Sequence, residues 1–312
     1  MIAPKPLRSH RKIRLPERGL VTIAAGFPFE GGILLCADTE ISNGEMKYIE
    51  SKLEYHQFSN INAKVGFAFA GSVPHAKRAI RRIVETLSLL QVEEITQTQL
   101  VGSIEGVLES EFDRLRKHPT YGYRGGPDFY LLVITWTADM GLMQFASYEE
   151  CLMPSGGASF IGAGDYFARY ISETVYLPTM GIMEIIAHAS HVLSQTKAHV
   201  PGCGGSSELL VIRDDDGDAA GIDFMDISLA EEFSEPFYRG LNTLYFGLVS
   251  ETWDDMRLKM ECASFLDWLL SVRKKNTAMK REQNKLKGGI VKRFMELQEL
   301  RQSIPRKLED QP

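Results

Sequence analysis

Ile33-Leu34-Leu35-Cys36-Ala37 is an unbroken apolar run set between Gly31-Gly32 and Asp38. A strand of that composition belongs where both faces are covered, so it constrains the fold more than any other stretch of the chain. Just upstream, Leu20-Val21-Thr22-Ile23-Ala24-Ala25-Gly26 reads as a partner strand joined to it through a tight turn. The pair leaves a threonine near one end and an aspartate at the other.

Residues 52–58 and 64–70 read as a hairpin, with Val65, Phe67 and Phe69 alternating with small residues. After Gly71 the period changes. Ser72 can cap a helix, Pro74 fits its first turn, and Ala76, Ala79, Ile80, Ile83 and Leu87 keep helical spacing. A second helix is expected over 96–118. Strands return over 129–136 and 142–147, and a short one ends near Ile161. Helices follow over about 165–176 and 180–197, the second with Ile182, Ile185, Ile186, Ala189, Val192 and Leu193 on one stripe. Strands are expected again over 208–213 and 219–224. Strands, two helices, strands, two helices, strands is the order of an α+β, four-layer α-β-β-α sandwich spanning residues 20–227.

Two segments fall outside that plan. Residues 1–19 have no periodic pattern and read as a basic leader or propeptide. Residues 228–312 read as a helical C-terminal extension: a helix near 229–248, a dense apolar one through Leu258, Met260, Phe265, Leu266, Trp268, Leu269 and Leu270, and a last amphipathic one with Ile290, Phe294, Leu297 and Leu300. The formal charge of -6 is segregated along this layout. Residues 1–20 hold six Lys/Arg against one acidic residue and residues 251–312 hold fourteen against ten, so the body between them is strongly acidic. An acidic body argues against nucleic acid as its ligand, while the basic tail is free to meet an acidic partner such as a neighbouring copy. No apolar run approaches the ~20 residues of a membrane span. The four cysteines (Cys36, Cys151, Cys203, Cys262) lack C-x-x-C spacing, as expected for reduced thiols in a cytoplasmic protein.

The Asp214-Asp215-Asp216-Gly217-Asp218 turn invites a calcium reading, but its glycine is misplaced for a Ca²⁺ loop and no glutamate follows at the right distance. His188 and His191 stand i, i+3 on one helix without an evident third ligand. No cofactor and no metal are expected.

Thr22-Ile-Ala-Ala-Gly26, Gly32-Ile-Leu-Leu-Cys-Ala-Asp38, Lys52 before a strand and Phe67-Ala-Phe-Ala-Gly71-Ser72 before a helix resemble the N-terminal half of proteasome subunits and of related bacterial ring proteases. These are N-terminal-nucleophile hydrolases. Phe160-Ile-Gly-Ala-Gly164 and Gly202-Cys-Gly-Gly205 are similar to the family's two later glycine signatures. The resemblance implies Thr22 as nucleophile, Asp38 and Lys52 as its charged partners, and Gly71 as the oxyanion donor. It implies a threonine-type peptidase or amide hydrolase acting on peptide or protein within a homo-oligomer or ring, which can also receive substrate from an ATP-dependent unfoldase. The chemistry fits these types. A threonine hydroxyl needs a base, which its own α-amine becomes once residues 1–21 are removed. An adjacent lysine lowers that amine's pKa, and an aspartate holds the lysine oriented. Four positions depart from the family pattern: Val21 precedes the nucleophile in place of glycine, Ala163 and Cys203 replace serines, and Val200 replaces an aspartate. A catalytically inactive subunit that keeps its leader is the alternative.

Overall fold

The computed structural model describes residues 22–42, 46–117, 129–250, 252–275 and 277–278. The leader, Val21 and the expected helix through Ile290–Leu300 lie outside the described residues. In chain order the strands and helices are β1 (Ile23–Phe29), β2 (Gly32–Asp38), β3 (Glu40–Ser42), β4 (Lys47–Ile49), β5 (Leu53–Phe58), β6 (Ala63–Gly71), α1 (Val73–Leu89) and α2 (Gln97–Lys117). They continue as β7 (Phe129–Thr137), β8 (Gly141–Tyr148), β9 (Cys151–Pro154), β10 (Ser159–Gly162), α3 (Asp165–Ser172), α4 (Ile182–His199), β11 (Ser207–Arg213), β12 (Ala219–Gly221) and α5 (Phe224–Val249). A further helix, α6, covers 255–275. The chain divides into two compact units, Met1–Ser234 and Glu235–Pro312.

The first unit is built on two antiparallel five-stranded sheets, ordered β10-β1-β2-β11-β12 and β5-β6-β7-β8-β9, with β3-β4 as a small separate ribbon. Three buried clusters fill three interfaces. One joins the second sheet to α1 and α2, through Val65, Phe67 and Phe69 against Ala76, Ile80, Ile83, Leu100 and Ile104. Another joins the first sheet to α3 and α4, through Ala25, Phe27, Leu34 and Cys36 against Ala168, Ile185, Ala189 and Val192. The third lies between the sheets and is made of Ala24, Ile33, Leu35, Ala37, Ala68, Ala70, Leu132, Ile134 and Ile212. Alternate residues of β1, β2 and β6 therefore serve different cores, which gives the four-layer α-β-β-α sandwich. The middle core is rich in alanine, so the sheets approach closely. A Cβ on Gly66 of β6 would stand 2.5 Å from the Ile212 side chain of the other sheet.

Polar side chains fasten the helices at a few points. The Asn60 amide donates to the carbonyls of Leu87 and Leu90, closing the C-terminus of α1 at 3.0 and 2.8 Å. Gln97 opens α2 by donating from its side chain to Thr135 at 2.5 Å and accepting from Thr137 at 3.0 Å. Glu111 on α2 takes ion pairs from Arg78, Arg82 and Arg114 at 2.6–3.0 Å. Ser72 precedes α1 as expected, yet its hydroxyl makes no cap bond; its carbonyl accepts from Ala76 instead.

Several local expectations are corrected. The strand expected over 219–224 ends at Gly221, because the Asp223 carbonyl accepts from Asp226 and Ile227 and starts α5 there. Helix α3 stops at Ser172, whose carbonyl then closes a turn with Val175 and Tyr176. The Asp214–Asp218 turn ties the sheets together, with Lys64 of β6 paired to Asp218 at 2.5 Å and lying over the Trp136 ring.

His188 and His191 face serines. The His188 Nε2 lies 2.9 Å from the Ser172 hydroxyl, and the His191 Nδ1 pairs with the Ser234 hydroxyl. Burial pushes both imidazoles down to about 4, with the neighbouring His188 adding to the effect on His191. A histidine kept neutral in the fold but free to protonate when unfolded stabilises the fold fully above its unfolded pKa, and that stability drains as pH falls toward the folded value. Thermal melts should therefore lose stability between about pH 6.5 and pH 4, by at most ~3 kcal/mol per histidine. A His188→Gln, His191→Gln variant should flatten that slope.

The second unit is a helical hairpin in its described part. Gly240 of α5 abuts the Phe265 ring and Gly247 abuts the Trp253 ring, each so closely that a Cβ would fall 2.3 Å away. Phe237, Phe265 and Trp268 form a ring cluster, with Phe265 stacked on Trp268 at 5.8 Å. Pro236 sits inside α5 and removes one backbone donor from its ladder. No helix among the described residues is long and apolar enough to cross a membrane.

Candidate active site

Thr22 immediately precedes β1, Asp38 ends β2, and the two strands pair in register Ala24↔Ala37. That hairpin brings the threonine and the aspartate to one end of the first sheet although fifteen residues separate them. Lys52 enters from the other sheet, just before β5, where its carbonyl accepts from the Phe69 N–H at 3.3 Å. Two sheets packed at short range thus converge on one point.

Lys52 is fully buried, and all three ammonium protons are used. It donates to the Thr22 hydroxyl at 2.9 Å, to Asp38 Oδ1 at 2.7 Å and to the Glu40 carbonyl at 2.6 Å. Asp38, also fully buried, accepts in addition from the Ile23 N–H at 3.1 Å and, on its other oxygen, from the Gly204 N–H at 2.9 Å. Burial pulls the lysine's proton affinity down and pushes the aspartate's up, and their mutual attraction opposes both shifts. A lysine in this setting holds its proton less tightly than a solvated one and presents it to a single hydroxyl. It can steady an alkoxide forming at Thr22 Oγ1, or exchange a proton with it.

Glycines surround the threonine backbone because nothing larger fits. Gly162 has φ +103° and faces the Thr22 carbonyl, where a Cβ would lie 2.3 Å from the oxygen. The Gly164 N–H donates to that same carbonyl at 3.3 Å. Cys203 stands on the nitrogen side. Its sulfur receives the Thr22 N–H, and its thiol is pushed up to about 12, first by burial and then by the charge of Asp38. At that value it is a thiol at neutral pH and no nucleophile. Ala163 is exposed, and Val200 caps α4 with its carbonyl accepting from the Cys203 N–H.

Of the four residues singled out from the sequence, Thr22, Asp38 and Lys52 meet directly. Gly71 does not bond to them. It ends β6 with φ +95°, a conformation that favours glycine, and precedes the first turn of α1. Its neighbour Ala70 packs against Gly162, which in turn touches the Thr22 carbonyl. Sequence reading missed the Glu40 carbonyl and the Gly204 and Ile23 N–H groups that complete the cage. Main-chain groups carry no residue-type signal, although Gly204 lies within the Gly202–Gly205 signature.

The sandwich with a threonine opening its first strand, and an aspartate and a lysine set against that threonine, is the architecture of the N-terminal-nucleophile hydrolases. A family model described as proteasome subunit matches residues 21–212. The chain belongs to the proteasome subunit family. No curated protein sequence matches it. Among solved structures, a Gly-1 mutant of Anbu from Hyphomicrobium sp. strain MC1 is similar with 15% identity and a TM-score of 0.61, covering 73% of this chain and 100% of its own. The Anbu complex of Pseudomonas aeruginosa, described as a helical assembly, is 11% identical with a TM-score of 0.59, covering 71% of this chain and 96% of its own. Anbu of Yersinia bercovieri, described as an ancestral β-subunit, has a TM-score of 0.58 at 11% identity, covering 72% and 96%. These likenesses concern the fold.

Proposed function

We propose that this chain is a threonine-type amide hydrolase, most simply a peptidase, working within a multi-copy assembly with Thr22 as its nucleophile. The observation that carries this reading is the buried Lys52 ammonium 2.9 Å from the Thr22 hydroxyl and 2.7 Å from Asp38. A β-strand threonine with a structural role has no need of a desolvated ion pair aimed at its oxygen, since such a pair is costly to bury. Membership of the proteasome subunit family and the likeness to Anbu structures, one of them described as a helical assembly, support the multi-copy part of the reading.

While residues 1–21 remain attached, the Thr22 nitrogen is an amide and accepts no proton. Cleavage of the Val21–Thr22 bond frees an α-amine beside the hydroxyl, close to the charge of Lys52. That amine then takes the hydroxyl proton as the oxygen attacks a substrate carbonyl, and the Gly71 N–H is the proposed donor to the oxyanion. The Cys203 sulfur, which already receives the Thr22 N–H, orients the freed amine weakly, because a neutral sulfur is a poor acceptor.

Intact-mass analysis of the native protein is expected to find a chain beginning at Thr22. Only full-length chain, in cells and after prolonged incubation, would favour the alternative of an inactive subunit that keeps its leader.

A further inference from the structure

The C-terminal unit lies beyond the family match, which ends at residue 212. Its helix α6 turns Phe265 and Trp268, both half-buried, toward α5 but leaves a second apolar face open. Met256, Met260, Leu266 and Leu270 are 68%, 66%, 55% and 45% exposed. Four large apolar side chains on one exposed helix face mark a contact surface.

The arrangement of that face identifies what covers it. Met256 and Leu270 stand seven residues either side of Ala263, and Met260 and Leu266 stand three residues either side. At about 100° per residue, Ala263 lies at the centre of the face, Met256 and Leu270 within about 20° of it, and Met260 and Leu266 about 60° to either side. Lys259 and Asp267, both exposed, stand four residues either side of the same point at about 40°, inside the stripe and between its apolar residues. The ends are also opposite in charge. Asp254 and Asp255 precede the first turn and open it, and Arg273, Lys274 and Lys275 close the last. A helix face whose apolar residues and charges are both palindromic about a small residue is complementary to itself run backwards. A foreign partner gives no reason for such symmetry, and a parallel copy would set acid on acid and base on base.

We propose that α6 pairs with α6 of a second copy of this chain, antiparallel about a twofold axis through Ala263. Met256 then packs near Leu270 of the partner subunit, and Met260 lies level with the partner's Leu266 across the seam. Lys259 stands level with the partner's Asp267 on both sides of the axis, and each acidic end meets a basic end. The alanine at the centre lets the two backbones approach, as small residues do at antiparallel helix seams. The interface is isologous, so it closes on itself and joins copies in pairs. It makes a homotypic link between subunits that is separate from any contact made by the sandwich.

The test places a thiol on the axis. In full-length chain with Cys151→Ser and Cys262→Ser, an Ala263→Cys substitution puts two sulfurs within disulfide reach only if the axis is there. Copper-catalysed air oxidation is expected to convert most of that variant to covalent dimer on a non-reducing gel. The control keeps native Cys262 and Ala263; Cys262 lies about 100° round the helix and should give no dimer. By sedimentation velocity, Lys259→Asp or Asp267→Lys alone should weaken the pairing roughly tenfold, and the double reversal should restore it. The pairing is wrong if the residue 263 thiol reacts with a soluble thiol reagent yet forms no dimer. It is equally wrong if Cys262 cross-links as readily, or if the double reversal stays as weak as the singles. Association through the sandwich alone would leave the 263 cross-link absent, so the two are told apart.

Discussion

Replacing Thr22 by alanine is expected to abolish hydrolysis, lowering kcat/KM for a cleaved fluorogenic peptide by roughly 10⁴-fold or more, the scale seen when a nucleophile is removed. The same substitution should also leave residues 1–21 attached, because the hydroxyl that would cut the preceding bond is gone. Thr22→Ser should retain both processes in part, since it keeps the oxygen that Lys52 contacts at 2.9 Å. Thermal unfolding separates a chemical loss from a structural one. Alanine leaves one Lys52 proton without its buried acceptor, a cost of about 1–3 kcal/mol that should lower the Tm without unfolding the protein at room temperature. Hydrolysis that survives in Thr22→Ala would mean that some other group attacks the substrate.

Lys52→Met is expected to act on both activity and stability. It removes the only side-chain cation bonded to the Thr22 oxygen among the described residues, and it strands a fully buried Asp38. Breaking one side of a buried pair costs about 3–5 kcal/mol, because the remaining charge has no partner. Part of that cost is relieved by protonation of the aspartate, whose affinity for a proton is already raised by burial. Adding Asp38→Asn should recover a large share of the lost stability, because no buried charge is then left unpaired. Activity should not return. A double variant as stable as the native chain yet at least ~10³-fold slower would separate the catalytic role of the pair from its structural one. The comparison is best made by chemical denaturation together with initial rates on one preparation.

The sandwich was legible because its cores are written at two periods. The unbroken run Ile33–Ala37 announced a strand covered on both faces, and it sits between two cores. Val65, Phe67 and Phe69, two apart, aim at the helices, and Ala68 and Ala70, which alternate with them, aim at the opposite sheet. The site was legible to the extent that it uses side chains. Thr22 and Asp38 stand at matched ends of a hairpin, so their spacing alone brings them together. The Lys52 contribution could be expected only through the resemblance to the family, because it crosses from the second sheet. The remainder is backbone chemistry. The Glu40 carbonyl and the Gly204 N–H would be present whatever residues stood there, and only the path of the chain aims them. Strand β9 and the β3–β4 ribbon escaped for a different reason. Each is only three or four residues long, too short to establish a period, and forms because a neighbouring strand offers free donors and acceptors. At Phe224 a strand-like alternation was overruled by the Asp223 carbonyl, which begins a helix.

The family resemblance implies a serine where this chain has Cys203. A thiol beside the Thr22 nitrogen is nearly isosteric with the hydroxyl it replaces, but it is a weaker hydrogen-bonding group in both directions. Under the proposed function, the amine freed by cleavage before Thr22 is held mainly by its proximity to the Lys52–Asp38 pair. On that proposal the pair, rather than the sulfur, is the part of the site on which reactivity depends.

Acylation of the processed protein by a peptidyl β-lactone, followed by peptide mapping, tests the central claim most directly. Such an electrophile opens on an activated hydroxyl and leaves an ester of known mass. One adduct per chain is expected, on the Thr22 oxygen, formed by protein beginning at Thr22 and absent from Lys52→Met. An adduct on another residue, or none on a chain that demonstrably begins at Thr22, would contradict it.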